Sequence, residues 1–270
     1  MNYDFFKVDI ENHIAVVSFN RPAKANSLHL PAWDEMQAIF EALDEHEEVR
    51  AIVLAGEGKH FCAGIDLETL MGLQNFNKIK CEGRKREAIR KFILKLQANI
   101  NAIEKCRKPV LAAIHKACLG GGLDIVAACD MRYCSADAYF SIKEIDLGLV
   151  ADIGSLQRLP TILTSGIVAE MAFTGRNVSG QEAKEIGLVN NCYETQEALM
   201  EGVMGIAKMI ATKSPLSIRG IKEVLLYKRD NTVDNSLNYM AAWNASMILS
   251  NDLMEAFQAS MQKKEPQFEA

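Results

Sequence analysis

No run of about 18 apolar residues occurs in this chain, so a membrane-spanning helix is not expected. Cysteine appears seven times, an odd number, without C-x-x-C spacing or histidine partners. A structural zinc site is therefore not expected, and the thiols read as reduced side chains of a reducing compartment. The G-x-G-x-x-G dinucleotide fingerprint is missing. Positive charge is not in excess: 30 Lys and Arg against 35 Asp and Glu leave a net charge of −5. General attraction to nucleic acid or to an anionic membrane is thus not expected, and nucleic acid is not an expected partner. The opening MNYDFFKVDIENHI has neither a secretory apolar region nor an Arg/Ser-rich transit composition, and the closing QFEA is not the S-K-L address. The expected location is cytoplasmic. Internal repeats and low-complexity linkers are also missing.

What the 270 residues do contain is an ordinary globular composition, 49% apolar and 24% charged, enough for a sizeable core. Short β-branched or apolar runs predict strands over 5–10, 14–19, 51–55, 110–114, 130–134 and 138–141, with a further strand at 188–189. Pro31 sits in the first turn of a predicted helix reaching about His46, with Trp33, Met36, Ile39, Phe40 and Leu43 at helical spacing. Residues 78–95 combine eight Lys and Arg with a helical apolar pattern continuing to Ile103, which reads as an amphipathic helix with a cationic outer face. Such a face is commonly just solvated, and it would also suit a polyanionic nucleotide or RNA. Ser179-Gly180-Gln181-Glu182 has the form of a capping box. From Gln196 the chain is nearly all helix, over 196–212, 215–227, 233–249 and 252–264. The organisation expected is a β/α core over 1–195 followed by a helical region over 196–270 that packs partly on another subunit. His60 and His115 have no acid or nucleophile beside them and read as structural.

The stretch CLGGGLDIVAACDMRYCSADAYFSIKEIDLGLVADIGSLQ, residues 118–157, carries the chemistry. Gly120, Gly121 and Gly122 follow an apolar strand and precede a helix-compatible run. Glycines let a ligand approach main chain, and the N–H groups of a helix start attract negative charge. Asp124, Glu144 and Asp152 each lie among small or apolar residues. Taken singly, a glycine run is also an ordinary tight turn, an acid in the first helical turn also complements the helix dipole, and the other two acids also suit a surface loop. Whether the three converge is a question for the tertiary structure. In FCAGIDL, residues 61–67, the glycine permits a bend against a ligand, and Asp66 also fits the start of a helix that it would cap.

These segments, with RPAKANSL at 21–28, IKEIDLGLVADIGSLQRLP at 142–160 and FTGRNVSGQEAKEIGLV at 173–189, resemble the crotonase (enoyl-CoA hydratase/isomerase) superfamily in the family's order. The resemblance implies an α/β fold: a ββα spiral core with a C-terminal helical trimerisation region, assembled as a homotrimer or dimer of trimers. It implies an acyl-CoA thioester as substrate and partner, with no metal and no redox cofactor. By the same resemblance, the oxyanion hole comes from the N–H groups of Ala63 and of Gly121 or Gly122. Coenzyme A would lie along Lys24, Ala25, Ala63, Gly64, Ile65, Asp66 and Leu67, with Lys263 reaching a phosphate.

The acids separate the branches of the superfamily. Hydratases resembling this chain carry Glu at the positions of Asp124 and Glu144, where the pair activates water. Asp at 124 reaches less far, and Asp152 is an additional acid. The spacing of Asp124, Glu144 and Asp152 is similar to the dienoyl-CoA isomerase branch. That likeness implies that Asp152 removes a proton from carbon 2, Glu144 delivers one to carbon 6, and Asp124 supports Glu144. The pocket floor is expected at Leu70, Met71 and Leu73.

Overall fold

The computed structural model describes residues 3–269. In chain order the elements are β1 (Phe6–Glu11), β2 (Ile14–Phe19), α1 (Leu30–Glu45), β3 (Ala51–Gly56), α2 (Leu67–Gly72), α3 (Glu82–Lys105), β4 (Val110–Ile114), β5 (Ala117–Leu119), α4 (Gly121–Ala127), β6 (Met131–Ser135) and β7 (Tyr139–Ser141). They continue with α5 (Ser155–Arg158), α6 (Ser165–Thr174), β8 (Val178–Ser179), α7 (Gly180–Glu185), β9 (Asn191–Tyr193), α8 (Gln196–Ala211), α9 (Pro215–Asp230), α10 (Val233–Met247) and α11 (Asn251–Gln262).

The main sheet runs β1-β2-β3-β4-β6-β9, antiparallel only between β1 and β2. A second sheet, β5-β7-β8, stands beside it. A parallel sheet with both faces covered calls for strands that are apolar throughout, and successive side chains do divide between two cores. Ile52, Leu54, Val110, Ala112 and Ile114 pack with α1 and the large core around Trp33 and Phe40. Val53, Ala55, Leu111 and Ala113 face the other way, onto Leu199, Val203 and Ala207 of α8.

That second core moves the expected boundary at residue 195. α8 seals one face of the sheet, so it is a layer of the core and not part of an appended helical region. The reason is period: the alternate residues of β3 and β4 need a cover, and α8 is the amphipathic helix that supplies it. α9 is also tied inward, through the buried Lys222, whose ammonium meets Asp130 at 2.7 Å and the Lys108 carbonyl at 3.0 Å.

Most of the strands and helices expected from the sequence form, with ends displaced by a few residues. Three differ more. The strand expected at 188–189 lies at Asn191–Tyr193, because Leu188 and Val189 are instead buried in the turn that follows α7. The cationic helix begins at Glu82, not Lys78, and residues 73–78 form a 3-10 turn. Its outer face is partly neutralised by Lys85–Glu82, Lys91–Glu87 and Lys95–Asp34 pairs. No described helix is long and apolar enough to cross a membrane.

Candidate active site

Three backbone segments meet where β4 gives way to β5 and α4. The first is the 21–28 loop. Ala25 and Asn26 both take left-handed conformations, φ 51° and 54°. Such a pair needs local support, and Asn26 supplies it. Its buried side chain accepts from the Arg21 N–H at 2.8 Å and donates to the Glu57 and His60 carbonyls at 2.9 and 2.7 Å. The second segment is the 61–67 turn, joined to the first by a Leu28–Ile65 bridge and to β5 by a Cys62–Cys118 bridge. The third is the Gly120–Gly122 turn into α4.

The turn and α4 approach so closely that side chains are excluded. Gly64 has φ 85°, and a β-carbon there would fall 2.6 Å from the Leu119 carbonyl oxygen and 3.1 Å from the Gly121 nitrogen. A β-carbon on Gly121 would sit 3.0 Å from the Trp33 ring and 3.6 Å from the Ile65 nitrogen. The Ile65 and Gly121 nitrogens therefore border one small space.

The state of each N–H decides what that space can do. Ala63 was the expected oxyanion donor, and the structure corrects it: its N–H donates to the Ala25 carbonyl at 3.0 Å. Across the parallel bridge, Leu28 bonds to Gly64 and Asp66, so the Ile65 N–H between them points away from the loop. Among the described residues neither the Ile65 nor the Gly121 N–H has an acceptor. Gly121 is the first residue of α4, where helical geometry leaves N–H groups unpaired. Gly122 serves the packing: a β-carbon on it would lie 2.7 Å from the Cys62 carbonyl oxygen.

The three acids line this region. Asp124, one turn into α4, is fully buried and accepts the Ser155 N–H on Oδ1 at 2.5 Å; its Oδ2 has no partner. Burial pushes its carboxyl up to about 6, with the Asp152 charge adding and the Ser155 contact and Arg158 opposing. Glu144 lies in a 3-10 turn against Gly120, where a β-carbon would meet its Oε1 at 3.0 Å. Its Oε2 is buried without a partner. Burial first, then the charge of Asp124, raises Glu144 to about 7. Asp152 is exposed on one side, and burial on the other raises its carboxyl. Glu144 feels both other carboxylates, so the three acids scattered over 124–152 act electrostatically on one another.

The expected coenzyme A contacts fall into two groups. Ala25 accepts from the Ala63 N–H on the seam between the two loops, Leu28 donates to the Gly64 carbonyl beside it, and Lys24 bonds within its own loop. Asp66 instead caps α2, accepting the Glu68 N–H at 2.9 Å and pairing with Arg21 at 2.6 Å. Burial pushes its carboxyl up, but those contacts outweigh it and hold it low. It is thus engaged by protein, which is the local reading of a cap rather than a ligand contact. Leu67 is exposed beyond it. Lys263 ends α11 in the left-handed conformation, and among the described residues no hydrogen bond or ion pair joins it to either loop. Of the expected pocket floor, Leu73 lines a cavity of about 590 Å³ with Phe76 and Phe92, while Met71 is exposed. His115 donates from Nε2 to the Gly58 carbonyl at 3.1 Å, and neither it nor His60 enters the acid cluster.

Residues 9–270 match the enoyl-CoA hydratase/isomerase family. The chain belongs to that family. Among its relatives, the peroxisomal Delta(3,5)-Delta(2,4)-dienoyl-CoA isomerase of Arabidopsis thaliana is 45% identical over 98% of this chain and 96% of its own. The mitochondrial Delta(3,5)-Delta(2,4)-dienoyl-CoA isomerase of Homo sapiens is 40% identical over 98% of this chain and 81% of its own. A crystal structure of an enoyl-CoA hydratase from Bacillus anthracis superposes with a TM-score of 0.88 at 31% identity, covering 98% of this chain and 99% of that one. The fold is accordingly the crotonase fold expected from the motifs. The compartments in the relatives' names lend no support to a cytoplasmic location.

Two contributors were not legible in the sequence. Ile65 appeared only as a contact residue, because an apolar side chain gives no sign that its N–H is unengaged. Ser155 had no assigned role, because its part is played by a backbone N–H set 31 residues from Asp124.

Proposed function

We propose that this enzyme is an isomerase converting a 3,5-dienoyl-CoA into the conjugated 2,4-dienoyl-CoA. The observation that carries the reading is the third carboxylate: the charge of Asp152 acts on both Asp124 and Glu144, and Glu144 packs against Gly120, next to the unengaged Gly121 N–H. In the proposed reaction the thioester oxygen sits between the Ile65 and Gly121 N–H groups. Asp152, ionised, takes a proton from carbon 2, and the electrons spread from carbon 2 through carbon 6 and onto the thioester oxygen. Glu144, held protonated near neutral pH by burial, returns a proton at carbon 6. One proton leaves and one arrives, so the product is an isomer. Oriented donors that meet the developing charge contribute about 2.7–4 kcal/mol each to the lowering of such a barrier. Asp124 raises the Glu144 pKa and keeps it an acid. Coenzyme A is assigned to the seam of Lys24, Ala25, Ala63 and Gly64.

Hydration fits the site less well. Water activation asks for two carboxylates reaching one water, yet Asp124 is fully buried with one oxygen already held by Ser155. The test is to offer the purified enzyme a 3,5-dienoyl-CoA and a 2-enoyl-CoA separately. Growth of the ultraviolet absorbance of the conjugated 2,4-dienoyl thioester is the expected result. Hydration of the 2-enoyl substrate with no such rise would replace the isomerase reading by a hydratase.

The apolar residues left exposed on α9–α11 and nearby, among them Leu225, Leu237, Leu249 and Phe257, support a homotrimer or a dimer of trimers. Analytical ultracentrifugation is expected to show one of these masses, and a monomer at micromolar concentration would exclude both.

A further inference from the structure

One face of α3 carries Gln97, Asn101 and Glu104, at helical steps of four and three that align their side chains. All three grip the segment that bears Asp152 and Ser155. Gln97 donates to the Asp152 carbonyl at 2.6 Å. Asn101 accepts from Arg158 Nη2 at 2.6 Å, and Glu104 accepts from Arg158 Nε and Nη2 at 3.0 and 3.2 Å. Glu104 is also paired with Arg229 of α9. Two edges of the Arg158 guanidinium are thus fixed, and its third nitrogen, Nη1, is turned toward Gly154.

Gly154 marks where that nitrogen points. It has φ 148°, and a β-carbon built on it would fall 2.1 Å from Arg158 Nη1 and 3.9 Å from Asp124 Oδ1. The guanidinium and the Asp124 carboxylate therefore flank one point, with only a glycine between them. Arg158 also borders a polar cavity of about 370 Å³, together with Gln97, Glu104 and Gln157. Arg158 itself is 9% exposed. A merely structural clamp would need Glu104 and Asn101 only. It would not need the third nitrogen beside a glycine that no other residue could replace.

We propose that Arg158, aligned by Asn101 and Glu104, is a positioning residue that places a fixed positive charge behind Asp124, while Gln97 holds the Asp152 backbone in register with it. The proposal rests on the isomerase reading for its kinetic consequences but not for its electrostatic ones. The groups facing Asp124 are Glu144 from the 3-10 turn, Asp152 from the following loop, Arg158 from α5 and the Cys118 thiol of β5; Glu104 and Arg229 stand behind Arg158. Removing Arg158 takes away the one cation in that set that acts on Asp124. Asp124 then holds its proton to higher pH and adds less to the burial that keeps Glu144 protonated at neutral pH.

Arg158→Met is expected to lower kcat about tenfold at neutral pH with KM within about twofold, as for a misplaced catalytic group. The alkaline limb of its kcat profile should move to lower pH. Arg158→Lys should restore the limb toward wild type, because a cation returns, without restoring full kcat, because the fork to Asn101 and Glu104 does not. Gln97→Ala should lower kcat with the limb unmoved and Tm near wild type. Infrared titration of the Asp124 carboxyl band, assigned by subtracting the Asp124→Asn spectrum, should show the band titrating at higher pH in Arg158→Met. If Arg158→Met lowers Tm while its folded fraction keeps the wild-type kcat, pH profile and infrared titration, the proposal is overturned and Arg158 is a clamp. If the wild-type enzyme isomerises no dienoyl thioester, the isomerase reading fails, and the infrared titration alone still decides this one.

Discussion

Asp152→Asn should lower kcat for 3,5-dienoyl-CoA isomerisation by about 10²–10⁴-fold, the range for losing a positioned general base. Stability should hardly change. The side chain of Asp152 makes no hydrogen bond to another described residue; its anchor is the backbone carbonyl held by Gln97, which asparagine keeps. The variant should therefore bind substrate with little change in KM, because what it loses is a group that acts only as carbon 2 gives up its proton. The measurement is the growth of 2,4-dienoyl absorbance in single turnover, with thermal melts of both proteins. A variant within about threefold of wild type would remove Asp152 from the mechanism. A variant equally slow but melting far lower would point to misfolding instead.

Glu144→Gln should give two large effects of opposite kind. Activity should fall by about 10²–10⁴-fold, since glutamine cannot deliver a proton to carbon 6. Stability should rise, but only at higher pH. Burial and the Asp124 charge raise the Glu144 carboxyl in the folded protein to about 7 from 4.5. Between these values the unfolded chain has released the proton and the folded one has kept it, so stability falls as pH rises through that window. Above pH 7 the folded state carries the whole penalty, and Glu144→Gln should recover on the order of 1–3 kcal/mol of it, reduced by the cost of an unpartnered buried amide. Below pH 4.5 the gain should vanish. Urea unfolding of both proteins at pH 4.5 and pH 8 reads the difference directly, and equal stability at pH 8 would mean that Glu144 is not the strained acid described here. The same ionisation should bend the wild-type rate: the proposed reaction needs Glu144 protonated and Asp152 ionised, so kcat/KM should decline above pH 7.

A site destabilised in this manner is a common trade of stability for function. Here it has a concrete form, since the unpartnered oxygens Glu144 Oε2 and Asp124 Oδ2 both lie in the acid cluster.

Much of this protein was set by local chemistry. The order of strands and helices follows from the alternation of apolar residues in β2–β4 and their helical spacing in α1, α3 and α8. The family was recognisable from the likeness of the glycine and acid motifs to those of its members, and the match over residues 9–270 bears it out. Those motifs were legible because each reflects a rule acting within a few residues: a glycine where φ is positive, a serine that caps α7 on the Glu182 N–H, an acid in the first turn of α4. What acts between distant segments was not legible. Which N–H remains for an oxyanion depended on the Leu28–Ile65 bridge, which engages the neighbours of Ile65 and turns its own N–H outward, and on the Ala25 carbonyl, which occupies Ala63. The assignment of α8 to the core depended on which sheet face lacked a cover. The raised carboxyls depended on burial and on one another, across gaps of 20 and 8 residues between Asp124, Glu144 and Asp152 that carry no distance information. Periodicity reports a residue's own surroundings along the chain; hydrogen-bond partners and electric fields come from segments that only the folded chain brings together.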